Sequence, residues 1–295
     1  MKRLGFYIVK WWVDFLSVQP FGLLYLKSDV YCFLVYHIFR YRRKVVRENL
    51  LRSFPEKGIQ DIKAIERRFY RNLCDLFVEA PKMMCMGPNG YAKRITYTNA
   101  EVLCPLFDQK KNIFYAIPHS GNWEWYGKMI PSFAPYNNVA VYKKVKNPVF
   151  DELMLYMRTK GIDVETVEAN STFKHLVQRR DRWNVALMMA DQSPRGTETD
   201  YWTEFLHQDT CWFTGLERMA RKLDYAVVFV AMKRKGRGRY EVTYELITDN
   251  PKEMEEGYIM GRYVRCLERF IEGQPDNWLW SHRRWKHQRN QEVKE

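Results

Sequence analysis

Residues 119–124, HSGNWE, hold a histidine and a carboxylate at a spacing that can support general-base chemistry. They directly follow a short apolar run that ends at Pro118. If His119 lies in a loop and Glu124 in the first turn of the next helix, the carboxylate can reach back to one ring nitrogen. The other nitrogen is then free to take a proton from a substrate hydroxyl. The same two residues are equally consistent with a purely structural pairing.

A second polar segment, residues 191–194, follows the apolar run 184–190. Ligands of open α/β sheets gather at the carboxyl ends of the strands, so we expect Asp191 to lie at the site. There it would orient the acceptor or a neighbouring side chain. An aspartate at a strand end also caps turns, and the sequence leaves both roles open.

Short apolar runs alternate with helical segments from about residue 95 onward, and this alternation predicts the elements that position both motifs. It favours an α/β fold with a largely parallel central sheet flanked by helices. Residues 239–247 alternate in the way typical of an edge strand. An amphipathic helix over 59–86 and a closing helix over 254–272 complete the prediction. The predicted strands are 111–118, 138–142, 162–166, 184–190 and 225–232, with helices near 122–131, 148–160, 172–182 and 213–223.

Residues 4–39 are apolar and aromatic, with Pro20 and Gly22 as helix breaks. Their longest charge-free stretch, 15–26, is too short to cross a bilayer, which needs about 20 apolar residues. We therefore expect two helical pieces that lie in a membrane interface or span it poorly. Burial of these helices in a soluble domain is the alternative.

The basic cluster 40–47 follows this apolar segment and suits the anionic headgroups of the cytoplasmic membrane face. We predict a membrane-associating segment over residues 1–50 and a catalytic domain over residues 51–295.

The composition points to an anionic partner, because the net charge is +13 and 16% of the residues are aromatic. Aromatic rings of this abundance suit a membrane interface. A nucleic-acid binder is one alternative, but the basic residues adjoin the apolar N-terminal segment and no nucleic-acid module appears, so we expect no nucleic-acid partner. A non-catalytic membrane scaffold is another alternative. The six cysteines and six histidines form no metal-site pattern, and we expect neither a metal nor a cofactor.

Several motifs along the chain match one family. HSGNWE fits the HxxxxD/E signature of glycerolipid-type acyltransferases, in the lysophospholipid acyltransferase-like superfamily. The whole layout resembles the bacterial lipid A biosynthesis (late, or lauroyl/myristoyl) acyltransferase family, and this resemblance covers nearly the whole chain. The other motifs that carry it are RYRRKVVRENL, SFPEK, VYKKVKNPVFDEL, ADQSP, WFTGLERMARKL and WLWSHRRWK.

The resemblance implies transfer of a fatty acyl chain from acyl carrier protein or acyl-CoA to a hydroxyl of a lipid A precursor, on the cytoplasmic face of the inner membrane. His119 would be the general base and Glu124 would orient it. The alkoxide would attack the thioester directly, without an acyl-enzyme on Ser120. A lysophospholipid or an aminoacyl lipid is the alternative acceptor, since pocket shape selects it.

The resemblance also implies supporting residues. Arg158 would hold a phosphate or a developing oxyanion, although a surface arginine of a helix is an equal interpretation. Asp191 would orient the acceptor or Arg158, and Asn122 would support the site. Lys143 and Lys144 stand where relatives often carry an arginine. His282, Arg283 and Arg284 would grip a lipid phosphate, unless they form a solvated, membrane-facing charge run.

Overall fold

The computed structural model describes residues 2–129, 136–161, 164–194 and 201–289. Its helices are α1 (Lys2–Val18), α2 (Phe21–Phe33), α3 (Arg43–Ser53), α4 (Ile59–Glu79), α5 (Pro88–Ala92), α6 (Cys104–Asp108), α7 (Tyr126–Met129), α8 (Pro148–Thr159), α9 (Thr172–Gln178), α10 (Gly215–Leu223) and α11 (Tyr258–Gly273). Its strands are β1 (Ile95–Thr98), β2 (Ile113–Ile117), β3 (Asn137–Tyr142), β4 (Glu165–Glu168), β5 (Asn184–Met189), β6 (Tyr201–Phe205), β7 (Gln208–Trp212), β8 (Ala226–Gly236) and β9 (Arg239–Thr248).

Seven of these strands form a central sheet in the order β1-β9-β8-β2-β5-β3-β4. The pairs β8-β2, β2-β5, β5-β3 and β3-β4 are parallel, as is β1-β9, whereas β8 and β9 are antiparallel. The predicted α/β class with a largely parallel sheet is confirmed. Residues 130–131 and 162–163, at the ends of a predicted helix and a predicted strand, lie outside the described ranges.

β9 is not the edge strand that its alternating sequence predicted. The short strand β1 pairs with it in parallel and forms the edge instead. The alternation in β9 is real, but it reflects one face that is packed more tightly than the other, with Tyr240, Val242 and Tyr244 buried. β6 and β7 form a separate antiparallel hairpin that the sequence patterns did not predict.

The middle of the sheet is buried on both faces. All five residues of β2 are buried, and so are the first five of β5. Helices cover both faces of a parallel sheet, so its central strands are continuously apolar rather than alternating. This is why runs such as IFYAI and NVALM marked these strands in the sequence.

Of the N-terminal helices, α2 packs on the long helix α4, whereas α1 packs on the 3₁₀ turn Ala80–Met84 that follows α4 and on α8. Pro20 separates α1 from α2, and a π-helical turn over Leu34–Ile38 follows α2. The Ser28 hydroxyl donates to the buried Asp75 carboxylate of α4 at 2.6 Å. No helix in the described ranges combines the length and the apolar character needed to cross a bilayer. The boundary at residue 50 between the membrane-associating segment and the catalytic domain stays a prediction.

Candidate active site

His119 and Asp191 meet because they follow neighbouring parallel strands in register. Ile117 of β2 pairs with Met189 of β5, and each polar residue lies two positions beyond its strand's last pair. The two residues therefore sit side by side at the carboxyl edge of the sheet, where ligands of α/β folds gather.

The Asp191 carboxylate holds His119 through both of its oxygens. Oδ1 lies 2.6 Å from Nδ1 of the imidazole, while Oδ2 accepts from the His119 backbone N–H at 2.9 Å. The indole Nε1–H of Trp278 donates to Oδ2 at 2.8 Å. Three contacts thus fix the orientation of the carboxylate and the ring.

Asp191 is ionised in this setting although it is only 2% exposed. Burial alone would raise the pKa of its carboxyl group, but the electrostatic attraction of the His119 ring and the hydrogen bonds from His119 and Trp278 hold that pKa below its usual value. A carboxylate at Nδ1 fixes the proton on that nitrogen. The lone pair of the neutral ring then lies on Nε2, the arrangement that a general base requires.

Nε2 of His119 faces the outside of the fold. The exposed Gln192 amide nitrogen lies 3.2 Å from Nε2, a position that a substrate hydroxyl would take when it donates to the same nitrogen. The Trp123 ring packs edge-on against the imidazole with centroids 5.4 Å apart. Because the His119 side chain is 14% exposed, the base is sheltered yet reachable.

Glu124 does not make the contact with His119 that its spacing suggested. Both of its carboxylate oxygens accept from Arg158, one from Nε and one from Nη2, each at 2.8 Å. Glu124 lies in a 3₁₀ turn (Trp123–Trp125), and Arg158 extends from the last turn of α8. Two carboxylate pairs therefore lie at this site, Asp191 with His119 and Glu124 with Arg158.

Gly121 gives the loop its close approach to β8. Its φ of +57° lies in the left-handed region, and a Cβ there would stand 2.7 Å from the backbone oxygen of Met232. Its N–H donates to the Asn277 side chain at 3.1 Å.

We expect Gly121→Ala to lower the free energy of unfolding by about 1–3 kcal/mol, because the new methyl group meets both a backbone clash and an unfavourable φ. Denaturant unfolding measures this loss. Gly127→Ala is the matched control, since a Cβ at that helical position would have no atom within 4 Å. Equal stability of the two variants would contradict the tight loop.

Asn122 faces the interior rather than the opening. It is fully buried, and its amide donates to Oε2 of Glu79 at 3.2 Å. Glu79 is buried as well and also accepts from the Tyr25 and Tyr240 hydroxyls and from the Gly238 N–H. Burial raises the pKa of Glu79, against the lowering effect of the Tyr240 and Asn122 hydrogen bonds and of the Arg234 charge. Asn122 thus anchors the loop that carries His119.

Ser120 is buried, and its hydroxyl accepts from the Met232 N–H at 3.4 Å, so its side chain faces β8.

The basic tail divides between the interior and the surface. Arg284 is buried, donates to the Cys211 carbonyl at 2.7 Å and stacks over Trp212. Burial lowers the pKa of His282 to about 4, so this ring is neutral at pH 7 and accepts from the Ser193 N–H. Neither the Arg284 nor the His282 side chain therefore fits the expected binding of a lipid phosphate, and neither belongs to a solvated charge run. Arg283 is exposed.

Lys143 and Lys144 directly follow β3 and are exposed. Among the residues that the structure describes, no group of three or more His, Cys, Asp or Glu side chains could hold a metal ion.

The sequence patterns missed three residues of the site. Gln192 lies within the ADQSP motif, and Trp278 opens the aromatic tail, so both stood in segments already singled out. Glu79 had a weaker signal: it is an acidic residue three positions after Leu76 on the apolar stripe of α4.

A family model described as bacterial lipid A biosynthesis acyltransferase matches residues 2–287. No curated protein matches the chain.

Proposed function

Because the chain belongs to the bacterial lipid A biosynthesis acyltransferase family, we propose that it transfers a fatty acyl chain from an acyl thioester to a hydroxyl of a lipid A precursor. The observation that carries the proposal is the bond between His119 Nδ1 and buried Asp191, with Nε2 facing outward. This geometry suits deprotonation of a hydroxyl.

In the proposed mechanism, Nε2 of His119 takes the proton of the acceptor hydroxyl as its oxygen attacks the thioester carbonyl. Asp191 stabilises the imidazolium that forms. The tetrahedral intermediate then collapses, the C–S bond breaks, and the leaving thiolate takes the proton from Nε2. Ser120 takes no part, because its hydroxyl faces β8.

The Glu124–Arg158 pair has a positioning role in this proposal. Glu124 engages Nε and Nη2 of Arg158, and Nη1 is not part of that pair. A guanidinium fixed in this way can present Nη1 to an anionic group of the substrate. Trp123, which packs on the His119 ring, directly precedes Glu124 in the chain and links the two pairs.

The test uses the full chain, purified in detergent, with two donors and three acceptors. The donors are thioesters of a labelled acyl chain with acyl carrier protein and with coenzyme A. The acceptors are a lipid A precursor, a lysophospholipid and an aminoacyl lipid. Mass spectrometry identifies the product. Acylation of the lipid A precursor supports the proposal. Activity on another lipid alone supports the acyl-transfer mechanism but refutes the lipid A precursor as the acceptor. A folded protein inactive on all three overturns the proposed activity. The basic surface favours the acidic carrier protein as donor.

The proposed location is the cytoplasmic face of the inner membrane. In support, α1, α2 and the turn that follows them expose large apolar side chains to solvent, a feature that marks interaction surfaces. Trp11, Val18, Leu26 and Phe39 are each more than 60% exposed. Arg40, Tyr41 and Arg42 follow them directly and are exposed as well, as expected beside anionic headgroups.

We expect Trp11→Ser combined with Leu26→Ser to weaken vesicle binding roughly tenfold or more, because each side chain loses apolar area that the membrane would bury. Co-sedimentation with phosphatidylcholine vesicles containing phosphatidylglycerol measures the partition. The matched control, Phe173→Ser with Val177→Ser, removes two exposed apolar side chains of α9. Equal losses in both double variants would contradict the membrane face.

A further inference from the structure

A pocket of about 450 Å³ opens beside the break between α1 and α2. Its lining includes Phe21 at the start of α2 and four cationic side chains, but no carboxylate. The four cations are Lys82, Lys93, Arg94 and Arg239.

None of these four cations forms an ion pair with a carboxylate in the described parts of the chain. Lys82 is only 9% exposed, and its ammonium group donates to the backbone oxygens of Ser17 and Gln19 at 2.7 and 2.9 Å. The Arg94 guanidinium stacks 3.5 Å over the Phe21 ring and donates to the Gly238 carbonyl. A buried cation is costly unless an anion compensates it, so the buried Lys82 lacks a negative partner among the described residues.

A second cavity shows that this imbalance is not general. It has a volume of about 790 Å³, and four arginines line it together with Asp29 and Asp276. Its Arg234 and Arg237 bind the buried Asp75, and Arg237 also binds Asp29. Arg68 also pairs with Asp276, so three of the four arginines of the second cavity pair with a carboxylate, whereas neither arginine of the first pocket does so within the described ranges.

The first pocket lies on the same edge of the sheet as His119. β9 runs antiparallel to β8 and parallel to β1, so the starts of β1 and β9 lie beside the end of β8, which extends several residues beyond the end of β2. Arg94 directly precedes β1, and Arg239 opens β9. Three strand spacings, about 14 Å, separate β1 from β2 across the sheet, and the starts of β1 and β9 also lie farther out along the strand direction than the end of β2.

We propose that this pocket binds a phosphate monoester on the lipid whose hydroxyl meets His119, an inference that rests on the proposed function. A dianionic phosphate supplies the missing negative charge and accepts from both ammonium and guanidinium donors. A lipid is the favoured source because the helix break that supplies the Lys82 acceptors also exposes Val18, at 70%, and Leu23, at 44%.

Calorimetry on the full chain tests the proposal with three soluble probes: inorganic phosphate, dihexanoyl phosphatidic acid and dihexanoyl phosphatidylcholine. We expect phosphatidic acid to bind most tightly. Lys93→Gln combined with Arg239→Gln removes two exposed cations and should weaken its binding roughly ten- to a hundredfold. The matched control, Lys174→Gln with Arg180→Gln, removes one exposed lysine and one exposed arginine at and after α9 and should leave the affinity unchanged.

Equal weakening in both double variants overturns the site, as does equal binding of phosphatidic acid and phosphatidylcholine or no binding at all. If inorganic phosphate binds as tightly as phosphatidic acid, the pocket is a phosphate site but its assignment to a lipid is refuted. His119→Ala should bind phosphatidic acid like the wild type. Acyl transfer and binding of phosphatidic acid are therefore measured independently. Failure of the proposed activity leaves the binding intact, whereas failure of the pocket abolishes the binding.

Discussion

Replacing His119 with alanine should lower the rate of acyl transfer by about 10²–10⁴-fold, the contribution typical of a positioned general base. The acceptor hydroxyl is a weak nucleophile, and His119 Nε2 is the outward-facing basic atom that Asp191 holds in place. Initial rates with the labelled thioester and the lipid A precursor measure the loss.

The fold should survive this change, because His119 lies beyond the end of β2 and not within the sheet. His175→Ala is the matched control, since Nε2 of His175 also lies near a carboxylate, 3.2 Å from Glu165. We expect that variant to keep wild-type activity. A His119→Ala variant as active as the wild type would refute the general-base role.

Asp191→Asn should lower the same rate by about 10²–10⁴-fold, because it changes which ring nitrogen of His119 carries the proton. Oδ2 of Asp191 accepts from two N–H donors, so the amide oxygen of asparagine must take that place. The amide NH₂ group then faces Nδ1, which has to accept, and the ring proton moves to Nε2. His119 stays in position but can no longer take a proton.

Glu124→Gln in the same assay decides which carboxylate orients the base. A glutamine keeps an acceptor for Arg158 and leaves the His119 tautomer unchanged, so we expect a loss of no more than about tenfold. A larger loss for Glu124→Gln than for Asp191→Asn would restore the pairing that the sequence spacing suggested.

The central strands could be predicted from the sequence because burial on both faces makes them continuously apolar. The motif after β2 could be located for the same reason, because the polar residue His119 directly follows a continuously apolar run. The strand β1 has only four residues, of which Ile95 alone is buried. Such a segment carries too little periodicity to be recognised, and its pairing changes which strand forms the edge.

The partner of His119 could not be derived from local spacing. Asp191 lies 72 residues away, and its approach depends on β2 and β5 being neighbours, which periodicity does not reveal. Glu124 was close in sequence, but its 3₁₀ turn and the last turn of α8 together direct its carboxylate to Arg158. Short-range patterns therefore located the reactive groups, while strand order decided how they pair.

The register between β2 and β5 also constrains how the chain can diverge in length. One residue inserted between Ile117 and His119 would shift the imidazole by one strand step, about 3.3 Å. That displacement exceeds the 2.6 Å contact that joins it to Asp191. The two spacers after these strands must therefore keep matched lengths, whereas insertions in the exposed connections elsewhere leave the alignment untouched. Deletions and insertions should be tolerated unevenly along the sequence, with the least freedom at these two short joints.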